Sequence, residues 1–172
     1  MGMDVYGKEP KSERGSYFRN NLWYWRPLWS YCISRHPDLA EKVEGAFFND
    51  GDGLDAEDSV ALAERLTQDL ALGIVEDYKR EYDAAVAALP MVDCDLCATT
   101  GIRTDEIGVS MGMPTQELSQ EEAIILGRTH GTCNGCRGMG VRPSFGTHYP
   151  FEVDNVREFA EFLADCGGFE IW

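Results

Sequence analysis

The sequence predicts a mainly α chain with a few short strands and a small four-cysteine subdomain. Three observations carry this. An apolar stripe of helical period runs from Ala56 to Leu89, capping and stop signals bracket two shorter helices further on, and four of the six cysteines form two C-x-x-C units. With 172 residues, 44% of them hydrophobic and 11% aromatic, the chain can bury a real core. It divides into an aromatic-rich and helical region at 1–90, the cysteine subdomain with an inserted loop and short helix at 91–150, and a closing strand and helix at 151–172 that pack back on the core.

Taken in order, residues 1–15 read as a strand or an ordered arm around Val5 and Tyr6. An aromatic block follows, with Tyr17, Phe18, Trp23, Tyr24, Trp25, Trp29 and Tyr31. Pro27 lies inside it, and proline is welcome only in the first turn of a helix. Two short helical pieces are therefore expected, the second from near Arg26 to just before His36-Pro37. Trp25 and Trp29 share a helical face and belong in the core, while Trp23 is the one left for a surface. Asp50, Asp52 and Gly53 imitate a calcium loop, but that register puts Phe48 and Ser59 where ligands belong. A loop ending in an Asp55 N-cap is the better account.

Leu62, Leu66, Leu70, Ile74, Tyr78, Tyr82, Val86 and Leu89 form the long stripe, which Gly73 can bend or break and Pro90 terminates. Gly108 to Pro114 reads as a loop. Ser119-Gln120-Glu121-Glu122 is a capping box for a short helix stopped at Gly127. After an extended Tyr149-Pro150-Phe151, Asp154 should cap a last helix with Val156, Phe159, Ala160 and Leu163 inward and Gly167 at its end.

The cysteines carry the chemistry. Cys94-Asp95-Leu96-Cys97 with Gly101, and Cys133-Asn134-Gly135-Cys136 with Gly140, both read C-x-x-C-x-x-x-G. Two thiolates two residues apart can face one side of a tight turn, and two such knuckles give the four tetrahedral ligands of a closed structural zinc site. The glycine beyond each permits a left-handed backbone. Two short C-x-x-C disulfides would brace little, a thioredoxin-like motif needs a βαβ unit, and iron–sulfur spacings differ. Four thiolates leave no open position for catalysis, and the deaminase pattern is missing. The expected cofactor is thus one structural Zn²⁺ on Cys94, Cys97, Cys133 and Cys136, in a zinc-knuckle, zinc-ribbon-like subdomain. Cys32 and Cys166 read as buried thiols; His130, three residues before Cys133, could replace a ligand but reads rather as a surface residue or a neighbour of the site.

Cys133 to Gly140, with Gly138 between, matches the whole C-x-x-C-x-G-x-G pattern; Cys94 to Gly101 matches it with Thr99 in place of the first glycine. The pair resembles the zinc-knuckle repeats of DnaJ-type proteins over about a tenth of the chain. That family carries four repeats and two zinc ions, so the resemblance implies one zinc here and a knuckle fold that contacts proteins. Arg35-His36-Pro37-Asp38 lacks the helical hairpin sequence that surrounds the J-domain motif.

The net charge of −15 is unevenly spread. Residues 38–126 hold 21 acids against five bases, whereas 127–150 hold no acid and Arg128, Arg137 and Arg142. The balance repels nucleic acid at long range and fits a solubilising surface, or one that meets a basic partner or imitates DNA. No P-loop, dinucleotide fingerprint, G-x-S-x-G or H-E-x-x-H occurs, so no catalytic residue is assigned. Neither a secretory leader nor a membrane span is legible, and Tyr6 stands where myristoylation needs Ser or Thr. The reading is a zinc-stabilised acidic, cytoplasmic protein-interaction module. One alternative is nucleic-acid binding through 127–150, with Arg128, Arg137, Arg142, His130 and His148 on phosphates and Phe145 or Tyr149 stacking. The other is an acidic, DNA-mimic inhibitor of the phage-encoded kind. Arg128, Arg137, Arg142 and Trp23 are the candidate interaction residues.

Overall fold

The computed structural model describes residues 2–172, and helices make up most of its regular structure. The chain forms two compact units: one from the N-terminal part up to Ala87 together with His148–Trp172, the other Ala88–Thr147. None of the helices is long and apolar enough to cross a membrane, among the described residues.

The first unit is built on a three-stranded antiparallel sheet ordered β2-β1-β5, with β1 at Gly2–Gly7, β2 at Tyr17–Asn21 and β5 at Phe169–Ile171. Val5 lies opposite both Phe18 and Ile171, so the alternation of each strand points to the same side. Met3, Val5, Phe18, Phe169 and Ile171 are accordingly buried. Helices α1 (Leu22–Arg35), α3 (Ala56–Ala71), α4 (Ile74–Ala87) and α7 (Val153–Asp165) complete the core, with a single turn, α2, at Pro37–Ala40. Trp25 and Trp29 stack with centroids 5.4 Å apart, and Phe159 of α7 meets both edge-on. Phe151 packs against Tyr31 and Tyr78, giving α1 and α4 a shared aromatic seam.

The aromatic block departs from expectation. Its first residues form β2, and the rest is one helix that Pro27 does not divide. Asn21 caps the start, its side chain accepting from the Tyr24 N–H. Proline deprives the Trp23 carbonyl of its helical donor, but Trp25, Leu28 and Trp29 on both sides of it are buried, and that packing holds the helix through the gap. The long stripe is two helices. Gly73, at φ +73°, takes the left-handed backbone that turns the chain between α3 and α4. Asp55 caps α3 through the Asp58 N–H. Asp52 accepts from the Gly45 and Gly53 N–H groups, so it serves its own loop. Asp154 lies inside the first turn of α7 and pairs with Arg157 instead of capping; the N-cap is Glu152, without a side-chain bond. The terminal strand β5 was not expected.

One polar cluster sits within this core. Asp69 Oδ2 accepts from Tyr31 Oη at 2.6 Å and lies 3.0 Å from His36 Nε2, tying α1 and the start of α2 to α3. Burial holds the His36 imidazole below its ordinary pKa, despite the pull of Asp69. Cys32 and Cys166 are buried free thiols, and burial pushes both up.

Candidate metal centre

The second unit begins with β3 (Met91–Asp93), which pairs antiparallel with β4 (Val141–Pro143). Between them lie α5 (Glu106–Ser110), a 3₁₀ turn at Met113–Thr115 and α6 (Gln120–Leu126). Gly108–Pro114 is thus not the loop expected of it. Asp105 accepts from the Gly108 N–H and caps a helical turn despite the glycine within it. Helix α6 has the full Ser119–Glu122 capping box and stops at Gly127, φ +63°.

Strands β3 and β4 hold the knuckles together. Cys94, Cys97, Cys133 and Cys136 are all buried, with their sulfurs within 4.8 Å of one another. Cys94 Sγ is 3.8 Å from Cys133 Sγ, and Cys97 Sγ 3.6 Å from Cys136 Sγ. The four are positioned to hold a metal ion. Burial pushes the Cys97 thiol up to about 12 and raises Cys133. For Cys136 burial acts in the same direction, but donation from the Gly140 N–H and the neighbouring thiols hold it below its ordinary value. Thiols packed this closely ionise together only if a cation replaces their protons.

The two knuckles are the same structure repeated at an interval of 39 residues. The Gly101 N–H donates to Cys97 Sγ at 3.3 Å, and the Gly140 N–H to Cys136 Sγ at 3.2 Å. Across the pair, Cys94 N–H donates to the Gly140 carbonyl and Cys133 N–H to the Gly101 carbonyl, both at 2.9 Å. Arg142 pairs with Asp95 at 2.8 Å, while Arg103 donates to Asn134 Oδ1 at 3.0 Å. Each arginine thus reaches the residue that follows the first cysteine of the opposite knuckle. Arg103 is buried and also forks onto Asp105, whose carboxyl it holds below the usual range. A Cβ on Gly101 would stand 2.1 Å from the Gly138 carbonyl oxygen, and one on Gly140 2.3 Å from that of Thr99. The backbones touch there, and glycine is what lets them.

The other predicted residues fall in different places. Arg128 donates to the carbonyls of Thr100, Gly101 and Gly138, so its guanidinium links both knuckles. Arg142 is engaged with Asp95, as above, and Arg137 is exposed in a left-handed turn at φ +52°. Gly138, at φ +82°, is buried beneath Leu126 and Arg128. His130 is outside the cysteine cluster, 3.9 Å from Glu117. The acid-free 127–150 segment is divided between the two units, with His148 and Tyr149 in the first. There both rings lie against Trp23, which is 38% exposed. Sequence reasoning missed Arg103 and Arg142 as a repeated pair. Their signal was present in Gly101-Ile102-Arg103 and Gly140-Val141-Arg142, which extend each C-x-x-C-x-x-x-G unit by two positions.

No protein-family model matches the chain, and it has no significant similarity to any curated protein or solved structure searched.

Proposed function

We propose that this chain is an acidic, intracellular protein-interaction module whose second unit is held by one structural zinc ion. The carrying observation is the closed cage of four buried sulfurs. Zinc bound by four thiolates at about 2.3 Å sets neighbouring sulfurs about 3.8 Å apart; here Cys94–Cys133 and Cys97–Cys136 are 3.8 and 3.6 Å apart, and all four sulfurs lie within 4.8 Å of one another. Donation from Gly101 and Gly140 to two of the sulfurs supplies the outer hydrogen bonds typical of metal thiolates. With four sulfur ligands no position is left for substrate, which supports a structural role.

The second unit has little else to fold around. Among its described residues, Met113 is the one buried apolar side chain besides the cysteines. Zinc binding on the order of 10 kcal/mol would then act directly as folding free energy. The internal repeat supports the DnaJ-type reading of the knuckles, and the net charge of −15 favours a basic protein partner over nucleic acid. Two of the three arginines offered to phosphates are engaged inside the unit.

The test is elemental analysis of protein purified without added metal, with Cys94→Ser and Cys133→Ser alongside. One zinc per chain is expected, lost in both variants together with the native amide spectrum of 88–147. Full metal retention in either variant would refute the ligand assignment.

A further inference from the structure

The segment between the knuckles displays apolar side chains that its own unit does not bury. Ile124 and Ile125 of α6 are 75% and 70% exposed, Met111 after α5 is 61% exposed, and α6 buries no residue at all. Yet α6 is a fully specified element, with its capping box at one end and Gly127 at the other. Leu126 is the residue that anchors it, reaching over Gly138. Beside α6 an open cavity of about 520 Å³ has Met111, Met113, Gln116, Glu122 and Arg137 in its lining and reaches as far as Cys133 of the cysteine cage. Methionine makes such a lining adaptable, since its unbranched thioether fits side chains of several shapes. Between Thr104 and Gly127 there are five acids, Asp105, Glu106, Glu117, Glu121 and Glu122, and no base.

We propose that α6 and the adjoining methionine-lined cavity dock a basic, amphipathic segment of a partner protein. Its apolar side chains cover Ile124 and Ile125 and enter the cavity by Met111, while its lysines or arginines face Glu117 and Glu121. Charge complementarity selects this occupant. A second copy of the chain would set the same acids against each other at a net charge of −15, and an anionic lipid surface would be repelled in the same way. The proposal rests on the interaction-module reading and gives that reading a surface and a partner chemistry.

The experiment is an anisotropy titration of the zinc-loaded full chain with a dye-labelled peptide of leucines and lysines, the leucines spaced three and four apart so that they form one face of a helix. A leucine/glutamate peptide and a serine/lysine peptide serve as controls. Binding of the leucine/lysine peptide alone is expected. It should weaken about tenfold or more in Ile124→Ser/Ile125→Ser, in Met111→Ser and in Glu117→Lys/Glu121→Lys. These exposed substitutions should leave zinc content and the amide spectrum unchanged. Equal binding of the serine/lysine peptide, or unaltered binding in the serine variants, would mean that overall charge alone attracts the probe and would overturn the proposal. So would absence of binding to any peptide. Binding lost in Trp23→Ala but kept in the serine variants would also overturn it, while leaving the interaction-module reading intact with its surface on the first unit.

Discussion

Thr99 and Gly138 hold the same place in the two knuckles, and both have left-handed backbone, φ +65° and +82°. A β-branched residue there costs about 1–2 kcal/mol, part of which the stiffer unfolded chain returns. Thr99→Gly should therefore stabilise the second unit by up to about 1 kcal/mol, read as slower zinc transfer to a chelator. Gly101→Ala or Gly140→Ala would drive a methyl into a carbonyl oxygen and should have the opposite effect. In the first unit, His36 supplies a pH dependence whose sign follows from its environment. Its folded pKa lies below the ordinary value, so the unfolded chain takes up the proton first. Stability from this group is complete above about pH 6.5 and is lost as pH falls through the lowered folded value. Denaturation midpoints from about pH 7.5 to about pH 5 should show a decline that His36→Gln reduces; parallel curves for the two proteins would exclude it. The cysteine cluster was legible residue by residue because knuckle spacing is a local property. The repeat of Arg103 and Arg142 two places after each knuckle glycine was legible too, but not what Arg103 does, because its partner Asn134 lies 31 positions away and only the fold brings them together.

The same division between local and distant causes holds for elements. The capping box of α6, the Asp55 cap of α3 and the break at Gly73 all depend on a few neighbouring residues, and all are visible in the sequence. Strand β5 depends on Val5 and Tyr6 at the other end of the chain, and periodicity cannot reveal it. Helix α1 continues through Pro27 because tertiary burial of its tryptophans overrides a local rule. Arg128 is the corresponding long-range device in the second unit, one guanidinium serving three carbonyls on two knuckles. Arg128→Met should leave those carbonyls short of donors and accelerate chelator-driven zinc loss several-fold. Arg128→Lys should fail to restore the wild-type rate, since a single ammonium cannot reproduce the planar fork. A wild-type rate in the lysine variant would show that charge near the knuckles, not the fork, is what matters.

For the whole molecule, the two units are stabilised by different physics. The first has a continuous core of aromatic and aliphatic side chains between a sheet and four helices, whereas the second has four cysteines and Met113. Removing metal should therefore affect them unequally. All four tryptophans, Trp23, Trp25, Trp29 and Trp172, belong to the first unit, so fluorescence reports on it alone. On chelation of the zinc-loaded protein, amide resonances of 88–147 should collapse toward random-coil positions while tryptophan emission keeps its native wavelength. The metal-free second unit, with Met113 as its one buried apolar side chain besides the cysteines, lacks the apolar area to refold alone. Adding zinc should restore the lost resonances, more completely at neutral than at acidic pH, because each thiolate must release a proton to bind. Simultaneous loss of native tryptophan emission would show that the metal supports both units. Unchanged amides after complete metal removal would show that the cysteine cage is not what folds the second.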